Sequence, residues 1–293
     1  PASGAAEYTG GSTRWAYSAY SNSGGHAGGA YQMPKFASGD ISVDDKDFVL
    51  QNGVAKASAG CTTISFTGTM RVEAYQGFFP THGQWVELVD PVLSLDANGN
   101  GAWSAAVRSG VGELNAAATE RVVVTRVSGA QVPDFANDDE IEASIPLAYA
   151  NTTAPGTWAV KNGVSYADAW SNDFILKVPS AVRAFYYASG AAADADKPAS
   201  PLRISWAWQA SGEPSVSATV GGAAASEVRQ GSVIVFTGGP FDRNADVSVE
   251  VHSEPVSLGT VRTDADGFAT VQWTVPAGFE TGAHEVVFTT ASG

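Results

Sequence analysis

Val86-Glu-Leu-Val-Asp-Pro-Val-Leu-Ser-Leu95 runs directly into Asp96-Ala-Asn-Gly-Asn-Gly101 and then into Ala102-Trp-Ser-Ala-Ala-Val107. Apolar and polar residues alternate on both sides of a cluster of turn formers, the pattern of two strands joined by a tight connection. Asp96–Gly101 also matches the front half of a calcium loop. Position 12 of that pattern falls on Val107, where a bidentate Glu is needed, so the segment reads as a turn. Upstream, Ile64-Ser-Phe-Thr-Gly-Thr-Met-Arg-Val72 alternates with period two. Downstream, Glu120–Val127 (ERVVVTRV) and Glu140–Ala150 (EIEASIPLAYA) continue the series of strands. Between them VPDFANDDE reads as an acidic, solvated loop. The stretch before about residue 60 is rich in Gly, Ser and Asp, which predicts loops around short strands. Asp173–Gly190 (DFILKVPSAVRAFYYASG) is the one stretch expected to carry a short helical turn.

A second series begins near Gly212. GEPSVSATVGGAAASEVRQGSVIVFTGGPF reads as a strand, a small-residue connection and a second strand, DVSVEVHSEPVSLGTVRTDADGFATVQWTVP as three more alternating runs, and TGAHEVVFTTASG as a last strand, each short and bounded by turn chemistry. The spacing predicts a small immunoglobulin-like β-sandwich. It lacks a Cys…Trp…Cys core, so Trp273 and Phe236 are expected to fill the interior. Asp264-Ala-Asp-Gly267 is read as a hairpin turn with Gly at the position that tolerates positive φ. The expected organisation is all-β throughout: a flexible N-terminal segment over residues 1–11, a larger β domain over 12–210 and the Ig-like sandwich over 211–293. The join is placed between about Ala210 and Gly222.

With 16 Lys+Arg against 30 Asp+Glu, the formal charge is −14. Phosphate-tracking nucleic-acid binding needs clustered Lys and Arg and is excluded on that ground. Only 16% of residues are charged, while Gly, Ala, Ser and Thr abound, the look of a secreted or surface β protein. No apolar run approaches the ~18 residues of a membrane span. The Pro1 start lacks a signal-peptide pattern, so an exported chain would be seen here in its mature part. Cys61, the single cysteine, alternates with Thr63, Ser65 and Thr67 and reads as a small, buried or half-buried strand residue. An interchain disulfide is open only if it proves exposed. His26, His82, His252 and His284 are scattered singly, with no spacing that brings two imidazoles to one metal. GxSxG, HExxH, P-loop and GxGxxG motifs are all absent, so the chain is expected not to be an enzyme and to hold no metal site.

The aromatic residues carry a resemblance. Trp15, then Phe66-Thr-Gly-Thr-Met-Arg-Val72, Tyr75, Trp85-Val-Glu-Leu-Val-Asp-Pro91, the distal Phe185-Tyr-Tyr-Ala-Ser-Gly190 and Leu202-Arg-Ile-Ser-Trp206 follow one another in an order that resembles the HtaA domain. That family comprises actinobacterial cell-surface β domains named for haem uptake. The resemblance covers roughly residues 12–210 and implies a curved sheet or sandwich. The part after it is similar to the Ig-like modules that stand beside the anchoring tails of such proteins. In the family, a Tyr in the first motif is the axial haem ligand and a His in the second hydrogen-bonds it. This chain departs at both places. The tenth position of the first motif is Gly24, with Tyr17 and Tyr20 out of register, and Ala74-Tyr75 stands where the family often has Gly-His, with His82 displaced into a loop. Tyr187 occupies the distal motif's tyrosine position.

The resemblance therefore implies a non-enzymatic protein of an actinobacterial cell surface or wall, with haem as cofactor and Tyr75, Tyr187, Tyr20 and His82 as candidate haem-binding residues. Phenolate ligation suits ferric iron. The alternative is a structural or adhesive surface protein, a self-assembling filament or envelope subunit that has lost haem binding. Its partners would be a host or cell-surface macromolecule, or further copies joined through strand edges. Neither reading involves nucleic acid or insertion into a membrane.

Overall fold

The computed structural model describes residues 6–23, 33–58, 60–76, 81–114, 120–135, 138, 140–150, 160–161, 164–165, 168–207, 213–252 and 255–291. The chain divides into two compact units, Pro1–Ala207 and Trp208–Gly293. Tyr31, Tyr166, His26 and the part of the expected join at 208–212 lie outside the described residues.

The first unit contains thirteen described strands: β1 (Ala6–Trp15), β2 (Lys35–Gly39), β3 (Ile41–Asp44), β4 (Asp47–Ser58), β5 (Cys61–Ser65), β6 (Gly68–Ala74), β7 (Gln84–Asp96), β8 (Gly101–Val111), β9 (Arg121–Val127), β10 (Glu140–Ile145), the two-residue β11 (Val160–Lys161) and β12 (Val164–Ser165), and β13 (Leu202–Ala207). Apart from the β11–β12 pair they form one antiparallel sheet whose main path runs β10-β13-β1-β4-β5-β7-β6-β2, with β3 on β4 and β8 and β9 added beyond β7. Residues 6–11, expected in a flexible segment, instead pair with Gly53–Ala57 of β4. Their alternation is masked by small residues, yet their backbone groups are needed to complete the ladder.

The predicted turn holds the β7–β8 hairpin: the Asp96 carboxylate accepts the N–H groups of Asn98 (2.8 Å) and Asn100 (2.9 Å). Strand β7 serves two partners. Gln84–Val89 pair with β6 and Val92–Asp96 with β5, and the register against β8 shifts between Val89 and Val92. Asp90 (φ 47°) and Pro91 break the strand there, as a left-handed residue and a missing N–H require. The sheet bends at such points and folds over itself. Trp15 of β1 and Trp103 of β8, far apart in the strand order, meet edge to face at 5.8 Å in the core.

Trp206 of β13 lies over glycines of the adjacent β1 and of β4, one strand further on. A Cβ at Gly11 would fall 1.7 Å from its ring, and one at Gly53 would come within 3.0 Å. Gly11→Ala is therefore expected to destabilise the unit by about 1–3 kcal/mol through overpacking, checked by denaturant unfolding. An unchanged midpoint would show that Trp206 has room to move.

Two helices interrupt the strands, α1 (Ala19–Ser23) and α2 (Asn172–Ile175), followed by 3₁₀ segments at Ser180–Tyr186 and Ala192–Asp196. The helical turn expected within Asp173–Gly190 is present. The helix at Ala19–Ser23 was not foreseen; its signal is Ser18, whose Oγ accepts the Ser21 N–H at 3.2 Å in capping fashion.

The second unit packs β14 (Ser215–Val220), β15 (Ala223–Ala224), β16 (Val233–Gly239) and β19 (Ala269–Thr274) in the order β15-β14-β16-β19. The other sheet, in the order β18-β17-β20, contains β17 (Asp246–His252), β18 (Val256–Arg262) and β20 (Glu285–Thr290). Ile234, Phe236 and Val271 from one sheet meet Val249 and Val251 from the other. Phe236 is buried as expected, whereas Trp273 is half-buried. Asp264–Gly267 is no hairpin: β18 and β19 belong to opposite sheets, so the turn arches between them. Its Asp264 carboxylate accepts the N–H groups of Asp266 and Phe268, and Gly267 has φ 81°.

Candidate functional site

Three segments distant in sequence converge on the ring of Phe185. The chain leaves β1 at Trp15, turns through Tyr17 (φ 68°) and enters α1, which carries Tyr20. Tyr20 is 3% exposed, and its ring centroid lies 4.9 Å from that of Phe185. Tyr75 follows directly on β6, half-buried, with its centroid 5.8 Å from Phe185. Its φ of 60° is uncommon for a bulky residue and aims the side chain away from the strand's regular alternation. Burial, with a smaller contribution from Tyr75, pushes the Tyr20 phenol up to about 12.

Beside this cluster lies a second, fully internal pair. The Tyr17 hydroxyl donates to that of Tyr186 at 3.0 Å, and burial raises both phenols above their ordinary value. Trp15, Trp170 and Phe174 surround them at centroid distances of 4.9–5.1 Å. Tyr17 thus belongs to the core.

Two lysines, Lys35 half-buried and Lys197 buried, fix the segments that carry the cluster. Lys35 donates to the Ala16 carbonyl at 3.0 Å, and also to Asn22 Oδ1 and the Lys46 carbonyl, which ties α1 to the β3–β4 turn. Burial lowers its ammonium to about 8, against the attraction of Asp47 and with the repulsion of Lys46. Lys197 Nζ donates to the Tyr187 carbonyl (3.0 Å), Ser189 Oγ (2.8 Å) and Asp194 Oδ1 (2.6 Å). Asp194 Oδ2 also accepts the N–H groups of Ser189, Gly190 and Ala191. Burial alone would raise the Asp194 carboxyl, but the hydrogen bonds from Lys197, Ser189 and Gly190 outweigh it and hold it below the usual range. The distal Phe185–Gly190 segment is therefore held by charge.

Of the four residues expected at a haem site, Tyr20 and Tyr75 come together through Phe185. Tyr187, 8% exposed, bridges to Ala169 and gives its carbonyl to Lys197. His82 reaches back to β6, where its Nδ1 stands 3.1 Å from Oε1 of Glu73, a fully buried carboxylate that also takes Gln76 Nε2 (2.6 Å) and lies 2.9 Å from Arg71 Nε. The sequence reading did not anticipate Lys35, Glu73 or Lys197, because nothing in their spacing marks a charge as buried. Cys61 is half-buried in β5 and lines a separate cavity of about 490 Å³ with Tyr8 and Phe135. Among the described residues no cluster of His, Cys, Asp or Glu could hold a metal ion, and no helix is long and apolar enough to cross a membrane.

No family model matches the chain, and no curated protein matches it. Among solved structures, it is similar over 68% of its length to the C-terminal domain of HtaA from Corynebacterium glutamicum, covering 96% of that chain at 16% identity with a TM-score of 0.40. Similarity to the N-terminal domain of the same protein covers 69% of this chain and 98% of that one, at 13% identity and a TM-score of 0.41. With the heme-binding protein HtaB from C. glutamicum the figures are 69% and 94%, at 11% identity and a TM-score of 0.41.

Proposed function

We propose that the first unit is a non-enzymatic haem-binding module of an actinobacterial cell-surface protein, in which Tyr75 would hold the group through its phenol oxygen. The observation that carries this reading is the convergence of Tyr20, Tyr75 and Phe185 from three stretches far apart in sequence. The donor set fits the group. Aromatic rings offer apolar faces for a flat macrocycle, and phenol oxygen is a hard donor. Tyr75 is the half-buried member and the one placed to reach a ligand. Tyr20, buried and titrating at about 12, keeps its proton and serves as a wall beside it. Bound haem would supply a ferric iron that an anionic oxygen stabilises. Tyr187, Lys197 and Asp194 hold the distal segment so that Phe185 stays against both tyrosines.

The test is a titration of haemin into the full chain, followed by visible absorption. A saturable Soret change is expected. Tyr75→Phe should abolish it, Tyr20→Phe should retain it, and Tyr187→Phe should shift it modestly. Loss of the band in Tyr20→Phe with retention in Tyr75→Phe would reverse the two roles. A wild-type chain that gives no saturable change would overturn the haem reading and leave the β scaffold as a structural or adhesive surface subunit.

A further inference from the structure

The second unit is open on one side. Between the edge of β14 and the start of β20 lies a groove of about 1100 Å³ whose apolar lining includes Ile234, Phe236, Val251 and Trp273. These are residues of the inter-sheet interior, so the two sheets do not close over their own core along this flank. Phe279 stands on the groove wall, edge to face with Trp273 at 5.0 Å.

Among the described residues the bordering strand keeps a short open edge. Ser215–Ser217 of β14 pair with β16 on one side only, since β15 reaches no further than Thr219 and Val220 and the Ala225 N–H donates to the Ala218 carbonyl at 3.0 Å. Natural edge strands are commonly protected by Lys, by Pro within the strand or by a bulge. Here the edge reads Ser-Val-Ser, its ladder to β16 has no register shift, and Val216 is 46% exposed. An extended segment laid beside it would gain main-chain hydrogen bonds and could drop alternate side chains onto the apolar lining.

Charge selects the occupant. The groove is bordered by Glu227, Glu280 and Glu285 against Arg229 alone. Residues 208–293 hold three Arg and no Lys against ten Asp+Glu, so their formal charge is 3 − 10 = −7. A second copy of this chain, itself at −14, would meet like charge.

We infer that this groove is a strand-addition site for an extended, basic segment of another protein in which apolar residues alternate with Lys or Arg. The site lies wholly in the second unit and is independent of the haem reading.

The probe is a fluorophore-labelled peptide of repeating Lys-Val-Thr-Val, compared with its Glu-Val-Thr-Val counterpart and with a version carrying Pro at alternate positions, which cannot donate to a ladder. Each is titrated into the full chain and followed by anisotropy, with hydrogen exchange read at the β14 amides. The Lys peptide should bind saturably and protect the outward-facing Val216 amide. The Glu and Pro peptides should bind at least about tenfold more weakly. Val216→Lys, a substitution at an exposed edge position, should weaken the Lys peptide by about tenfold or more with the unfolding midpoint held. Equal binding of the Lys and Glu peptides, or binding untouched by Val216→Lys, would overturn the proposal. So would concentration-dependent self-association of the chain that Val216→Lys abolishes, since the occupant would then be a second copy.

Discussion

Lys197→Met is expected to cost the first unit about 3–5 kcal/mol, the range for removing one partner of a buried ion pair. The Lys197 side chain is 4% exposed, and the Asp194 carboxylate beside it is 21% exposed. Without the ammonium, Asp194 keeps its three backbone donors but loses the cation paired with it, and the Tyr187 carbonyl and Ser189 hydroxyl each lose the Lys197 donor. Methionine fills much of the volume, so the loss reports charge rather than a cavity. Urea unfolding of the full chain checks it; a shift below about 1 kcal/mol would mean that water or a neighbour replaces the ammonium. The pH dependence has a definite sign. Asp194 titrates below its ordinary value in the folded state, so its contribution is fully present above about pH 4 and is lost as pH falls through the depressed value. In Lys197→Met the main cause of that depression is gone, and the acid-side slope should flatten.

The same network marks where sequence reading stopped. Asp194 and Lys197 stand three apart in Ala192-Ala-Asp-Ala-Asp-Lys197, and as a pattern that is an ordinary exposed pair. Only the fold places the Tyr187 carbonyl over the ammonium. Lys35 is less legible still, since its acceptors come from Ala16, Asn22 and Lys46, three separate local structures. The strands, by contrast, announce themselves where alternation and turn chemistry agree, as in β7 and β8. What alternation cannot convey is partnership. Val86–Leu95 reads as one strand, but only the bend at Asp90 and Pro91 assigns its halves to β6 and β5. Asp264–Gly267 has hairpin composition and yet joins two sheets, because the residues of a tight turn do not encode which ladder comes next. At the candidate site, the order of the motifs linked Tyr20, Tyr75 and Phe185 only through the resemblance. Their ring contacts depend on α1, a helix too short for periodicity to reveal.

Trp15 raises the question of what the first motif's tryptophan does, and the geometry answers with packing. It is fully buried, its Nε1 donates to the Ser200 carbonyl at 2.9 Å, and its ring meets Tyr17 at 4.9 Å, Trp103 at 5.8 Å and Trp170 at 6.0 Å. It thereby joins β1, β8 and the segment before α2, the elements whose meeting makes one sheet into a two-layered body. Trp15→Ala is expected to cost about 3–5 kcal/mol for the lost contacts and cavity, plus about 1–3 kcal/mol for a carbonyl left without its donor. A loss of that size approaches the whole stability of an ordinary domain, so much of the protein should be unfolded at 37 °C. Trp15→Phe separates the two contributions: it keeps a ring against Tyr17 and Trp170 but cannot reach Ser200, and should lose markedly less. Circular dichroism melts of the three proteins measure both. If Trp15→Phe proves as damaging as Trp15→Ala, the indole hydrogen bond rather than ring volume governs this position. The tight seat also bears on Tyr20, because the chain passes from Trp15 to α1 in three residues, two of them the positive-φ Tyr17 and the capping Ser18. On the proposed haem reading, a variant that loosens Trp15 while remaining folded should therefore weaken haemin binding without any change to Tyr20, Tyr75 or Phe185.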